Sequence, residues 1–158
     1  MAFNFTLPLR IAQALFAIIV FALTAFVAHW WHEFYRAAAP SQVGFLLFTS
    51  IWTILALLFL ILAPWKFPAA AHKFAILGVE AITTLFWFAG FIAQAVFLSH
   101  STACYGHVCN SAKAAAVFGA FEWLLFVGTL IMAALHVFRT RGTHQTKADP
   151  NMNFHQGV

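Results

Sequence analysis

Apolar residues run almost unbroken through four stretches of the chain: Ile11 to Ala28, Val43 to Ala63, Phe74 to Leu98 and Ala112 to Phe138. Each is close to the ~20 residues that a helix needs to cross a hydrocarbon core. Lipid offers no hydrogen bonds, so a spanning backbone must pair its own polar groups, as a helix or as a closed barrel. Barrel strands alternate apolar and polar side chains. The run Ile54-Leu55-Ala56-Leu57-Leu58-Phe59-Leu60-Ile61-Leu62 does not alternate. Helices are therefore predicted, with spans at about 10–31, 42–63, 70–98 and 112–138.

Local signals punctuate these spans. Pro8 suits the first turn of a helix. Trp30 and Trp31 close the first span and Trp65 the second, where aromatic belts meet the headgroups. A short loop is expected from His32 to Ser41, an abrupt stop at Pro64 to Pro68, and a polar loop from Ser99 to Ser111. Such short loops make neighbouring spans antiparallel. The predicted fold is thus all-α, an integral-membrane four-helix up-down bundle over residues 10–138. It is flanked by a segment at 1–9 and a polar tail at 139–158, for which disorder is expected. Composition agrees: 63% of residues are hydrophobic, 8% are charged and the mean hydropathy is +0.88, against about 25% charged in a soluble domain. The first span is longer than a signal-peptide core, and Phe26 stands where a cleavage site would want a small residue. It reads as a retained signal anchor.

Charge suggests an orientation. Arg10, Lys66, Lys73, Arg139, Arg141 and Lys147 fall on one side of the spans, and Arg36 and Lys113 on the other. The positive-inside rule then places both termini in the cytoplasm. The net charge of +4 fits attraction to an anionic leaflet. The basic residues are scattered between loops, which makes nucleic acid an unsuitable partner. Cys104 and Cys109 would face the oxidising side, where disulfides persist, and Gly106 lets the turn between them bend. A zinc site would need two further ligands, which His100 and His107 could supply; the disulfide is the preferred expectation and no metal is predicted. The sequon Asn4-Phe5-Thr6 should stay unglycosylated on a cytoplasmic N-terminus.

Glu80 and Glu122 are the only acidic residues within the spans. An acidic residue at the bilayer centre costs ~2.5–3.5 kcal/mol on the modest scales, so such residues face the bundle interior. Lys73, Glu80, Trp87 and Gln94 recur every seven residues on span three, and Ala115, Glu122, Thr129 and His136 do so on span four. Seven residues are nearly two turns, so each helix carries one polar stripe. Thr83 and Thr84 flank Glu80 as candidate hydrogen-bond partners. On spans one and two, Gln13 and Thr53 are the strongest polar candidates. Ser111, Ala115 and Gly119 form a small-residue row on span four, with Ala112, Ala116 and Ala120 beside it, and small residues let helices approach closely in lipid. Two roles for the glutamates are open. They could relay protons or cations, or they could hold spans three and four to spans one and two. The second is preferred, because no other titratable group is expected at mid-depth.

Eight histidines raise the question of haem. His72 and His100 are 28 residues apart, about 42 Å along a helix, which exceeds the ~30 Å core. Interfacial histidines are the better account. A thiol-oxidising enzyme would relay electrons between separate cysteine pairs, and this chain has one. No Ser–His–Asp or Cys–His constellation is visible. No enzymatic activity and no cofactor are predicted.

Taken together, the features resemble fungal MARVEL-domain proteins. The resemblance rests on Arg10 before span one and on Glu80-Ala81-Ile82-Thr83-Thr84-Leu85-Phe86-Trp87-Phe88-Ala89-Gly90-Phe91 in span three. It also rests on the Cys104–Cys109 pair and on Ala120-Phe121-Glu122-Trp123-Leu124-Leu125-Phe126 in span four. It covers roughly residues 5 to 140. The resemblance implies a non-enzymatic tetraspan organiser of membrane microdomains, vesicle trafficking or membrane apposition, in the plasma membrane or secretory vesicles. Lipids, sterol among them, and further copies of the chain are its expected partners. The alternatives are a proton- or ion-coupled transporter or channel subunit using Glu80 and Glu122, and an accessory subunit of a larger membrane complex.

Overall fold

The computed structural model describes residues 6–66, 73–101 and 106–140; the side chains at 63–66, 73 and 140 are outside that description. Four helices follow in order: α1 (Thr6–Tyr35), α2 (Ser41–Lys66), α3 (Lys73–His100) and α4 (Gly106–Thr140). Each is long and apolar enough to cross a membrane. α1 packs on α2, α2 on α3, α3 on α4, and α4 closes the ring against α1. Buried clusters fix the direction of travel. Val27, Val43 and Ala112 meet at one end, and Leu60, Ile76 and Val137 at the other. Sequential neighbours are therefore antiparallel, as the short connections predict.

A seven-residue repeat turns one stripe of each helix inward. On α1 the buried positions are Thr6, Arg10, Gln13, Ala17, Val20, Thr24 and Val27. On α3 they include Ile76, Glu80, Trp87 and Gln94, and on α4 Ala112, Ala115, Glu122, Phe126, Thr129 and Ala133. Alternating steps of three and four residues keep a helix seam facing its neighbours. Outward positions such as Ile11, Leu15, Ile18, Leu55, Leu85, Leu124 and Ile131 are exposed and apolar. In water such surface would be a liability; in lipid it is the expected outside of the bundle.

The helices overrun the predicted spans. At 30 residues, α1 is about 45 Å long, so its ends project past the hydrocarbon. The expected loop at His32 is helical to Tyr35, where rings one turn apart pack together: Trp30 stacks on Phe34 with centroids 4.6 Å apart, and Trp31 lies tilted against Tyr35 at 4.9 Å. Arg36, at φ 47°, then ends the helix in the left-handed conformation common just past a C-terminus. The carbonyl of Pro40 accepts from the Val43 and Gly44 amides and starts α2. α2 continues through Pro64 to Lys66 instead of stopping at the proline. Within the expected polar loop at Ser99–Ser111, the described residues are also mostly helical. Ser99 and His100 finish α3, and Gly106, at φ 80°, opens α4. There the Ser111 hydroxyl donates to the His107 carbonyl, so a polar sequence closes its own helical turn.

Small residues set the α3–α4 approach. A Cβ on Gly119 would lie 3.3 Å from the Cβ of Phe91 and 3.6 Å from the Trp87 ring, whereas one on Gly128 would meet nothing within 4 Å. Overpacking costs about 1–3 kcal/mol. Gly119→Leu should lower stability by that amount in a detergent unfolding titration, and Gly128→Leu should leave it nearly unchanged.

Candidate functional site

The interior of the bundle is unusually polar. Near one end, where α1 and α3 begin and α4 ends, Arg10 extends across the ring to Glu80. Its guanidinium Nη2 pairs with Glu80 Oε1, and Nη1 donates to Gln13 Oε1 at 3.1 Å. Gln13 Nε2 donates to Thr129 Oγ1 at 3.3 Å, and the Thr129 hydroxyl donates to Glu80 Oε2 at 3.0 Å. Three helices thus close one cycle of hydrogen bonds. Arg10 is 7% exposed, while Gln13 and Glu80 are fully buried. Two opposite charges in direct contact, each with a further neutral partner, offset the desolvation that either alone would suffer.

One heptad further along lies a second layer. Thr129 contacts Glu80 and the helices are antiparallel, so Glu122, seven residues before Thr129, stands level with Trp87, seven after Glu80. Trp87 is buried and its indole N–H donates to Thr53 Oγ1 of α2 at 2.9 Å. Trp52 likewise donates to Thr83 Oγ1 at 3.1 Å. Glu122 is fully buried, and neither of its carboxyl oxygens has a hydrogen-bond partner among the described residues. A third layer, another heptad on, holds Gln94, fully buried with both amide atoms unpartnered.

The structure sorts the predicted residues. Glu80, Gln13, Gln94 and Glu122 all face inward. Thr84 and Thr83 are buried too, but their hydroxyls donate to the backbone carbonyls of Glu80 and Val79, one turn back. The Glu80 carboxylate takes its partners from α1 and α4 instead. Ala115 and Gly119 are buried in the α4 seam and Ser111 is half-buried at its end. Trp30 and Trp31 are half-buried at the end of α1. The Trp65 side chain, Asn4, His72, the tail from 141 and Cys104 lie outside the described residues. Cys109 is buried at the start of α4.

Arg10 is a site residue absent from the sequence-based candidates. Its expected place was the mouth of span one, on the side of the chain termini, whereas α1 begins at Thr6 and turns the Arg10 side chain into the interior. Arg10, Gln13 and Ala17 step by three and four residues, the same inward stripe, and that spacing was the available signal. With Arg10 neutralised by Glu80, the charge asymmetry between the two sides becomes five against two, counted over the whole chain. It keeps its sign.

At the opposite end a cavity of about 310 Å³ opens between all four helices, walled by Trp30, Trp31, Tyr35 and Phe97, with His100 and Ser101 at its polar edge. On the outside, among the described residues, rings gather over three helix seams. Phe16 meets Phe118 and Phe121 between α1 and α4. Phe45, Phe48 and Trp52 meet Phe86 between α2 and α3. Phe88 and Phe91 meet Trp123 between α3 and α4.

Removing one partner of a buried pair leaves an uncompensated charge, at a cost of about 3–5 kcal/mol. Arg10→Met and Glu80→Leu should each destabilise the bundle on that scale. The double variant should be markedly more stable than the sum of the two losses predicts. Reversible unfolding in mixed micelles, read as a double-mutant cycle, checks this.

Sequence comparison agrees with this architecture. The membrane-associating domain called MARVEL matches residues 3–132. No curated protein and no solved structure matches the chain.

Proposed function

This chain belongs to the MARVEL family of membrane-associating domains, and from that premise we propose that it is a non-enzymatic organiser of membrane microdomains, acting through its outer surface. The observation that carries this reading is the division of the molecule. Polar groups are gathered inside the bundle, and the surface offered to lipid is aliphatic with aromatic clusters over the helix seams. Rings at such density, 20 Phe and 6 Trp in the whole chain, pack well against flat, rigid apolar partners and against one another. Sterol-rich lipid and further copies of the chain are the partners this surface suits. A rigid interior matters to the same role, because a bundle fixed by the Arg10–Glu80 cycle presents its seams in constant geometry.

The same proposal places both termini in the cytoplasm and the connection before α4 on the oxidising side, with Cys104 joined to Cys109. Plasma membrane or secretory vesicles are the corresponding locations. The Arg10–Glu80 pair favours a structural role for Glu80 over a place in a proton relay, since its carboxylate is engaged on both oxygens.

Energy transfer between donor- and acceptor-labelled full-length chains in liposomes tests the organiser reading. Transfer should exceed the random-dilution value and rise when sterol is added. Equal transfer with and without sterol would remove the sterol part, and dilution behaviour in both would remove self-association. Alkylation of the unreduced, denatured protein followed by peptide mass spectrometry should leave both cysteines unmodified until a reductant is added.

A further inference from the structure

The second and third layers of the interior have a one-sided hydrogen-bond inventory. On α2, the Thr53, Thr49 and Ser50 hydroxyls donate to the carbonyls of Thr49, Phe45 and Leu46. On α1, Thr24 donates to Val20. On α3, the Trp87 indole donates to Thr53. All of these side chains are at most 1% exposed. Their hydrogens are spent, and what the hydroxyls still offer is oxygen lone pairs, one of which on Thr53 is taken by the Trp87 indole. The one unspent protein donor among these groups is the Gln94 amide.

Glu122 stands at this level with two unpartnered oxygens. An ionised carboxylate only accepts hydrogen bonds, whereas a carboxylic acid also donates one. Surroundings rich in acceptors therefore match the acid and leave the carboxylate without donors. Among the described residues no free charge stands at this level to compensate an ionised form. Along α1, the titratable side chains nearest to this level are Arg10 and His29; along α3, Glu80 and His100; along α4, Lys113 and His136. On α2 none occurs between Ser41 and Leu62. Arg10 is already committed to Glu80.

We propose that Glu122 is a proton-binding site, a neutral carboxylic acid hydrated inside the bundle and linked through internal water to the Gln94 amide. Gln94 is one heptad from Trp87, about 10 Å along the helix, which a short file of waters spans. Buried polar groups without protein partners are characteristically met by water that makes about three hydrogen bonds. The acid donates to this file, the hydroxyl oxygens of Thr24, Thr49 and Ser50 accept from it, and Gln94 both donates and accepts. The file leads toward the end of the bundle that holds the aromatic-walled cavity and away from the Arg10–Glu80 cycle. The site is independent of the organiser role, and either can fail without the other.

Infrared spectroscopy of the full chain in nanodiscs at neutral pH tests it, in a background carrying Glu33→Gln and Asp149→Asn. That background leaves Glu80 and Glu122 as the only side-chain carboxyls. The expected result is a carbonyl stretch of a protonated carboxyl, shifted when the sample is moved into D2O and lost in Glu122→Gln. Gln94→Leu should keep the band, move it to higher frequency and slow its exchange. A spectrum without the band, with Glu122 ionised beside a cation, would overturn the proposal. A band that does not shift in D2O would overturn its hydration, and a band that survives Glu122→Gln would move the proton to Glu80. Should Glu122→Gln fail to fold, Glu122→Asp supplies the complementary assignment, because it keeps a carboxyl at this position and the band should remain but change frequency.

Discussion

A guanidinium and a carboxylate meeting inside an apolar bundle constrain everything around them. Arg10 and Glu80 belong to α1 and α3, which stand diagonally across the ring, so their contact runs through its centre. Lipid cannot solvate either charge if they part, so the relative register of α1 and α3 is held by the cost of separation. Gln13 and Thr129 extend that constraint to α4. Apolar packing alone would tolerate slippage by a heptad, since Leu, Ile and Ala seams are nearly interchangeable. A single buried charge pair admits one register.

Away from that cycle the interior changes character. At its charged end both Glu80 carboxylate oxygens and both Gln13 amide atoms have partners. Its middle and far layers carry hydroxyls turned onto their own helices, an indole held by Thr53, and the unpartnered Glu122 and Gln94. Hydroxyls bonded one turn back cost little in a membrane helix, because they satisfy themselves without a neighbour. They also leave oxygen lone pairs facing the core. One end of the bundle is thereby locked, and the rest offers a polar lining.

The outside is organised by a different rule. Because the inward stripe holds nearly every polar side chain of the spans, the remaining surface is apolar by default. Ring clusters cover the seams where two helices meet, so they bridge neighbouring helices while presenting flat faces to lipid. The proposed organiser role would draw on this surface, and the interior would serve it by keeping the helices in place.

Much of this was legible in the chain. Helix number and type followed from apolar run length, and the inward placement of Glu80, Trp87, Gln94 and Glu122 followed from a period of seven. The close approach at Gly119 followed from the small-residue row. Three things required the tertiary structure. The helix ends were one, because packed rings at Trp30–Phe34 and Trp31–Tyr35 and the Ser111 hydroxyl sustain helix where polar composition suggests loop. The partners of Glu80 were another. Thr83 and Thr84 adjoin it in sequence, but a helical hydroxyl finds its own backbone first, and the carboxylate is met from α1 and α4. The last was the difference between the two glutamates. They share a residue type, a period and full burial, and only the packing of four helices decides that an arginine reaches one and leaves the other among acceptors. Local chemistry sets what each helix shows to the core, whereas pairing across the core depends on register between helices, which no single stretch of sequence contains.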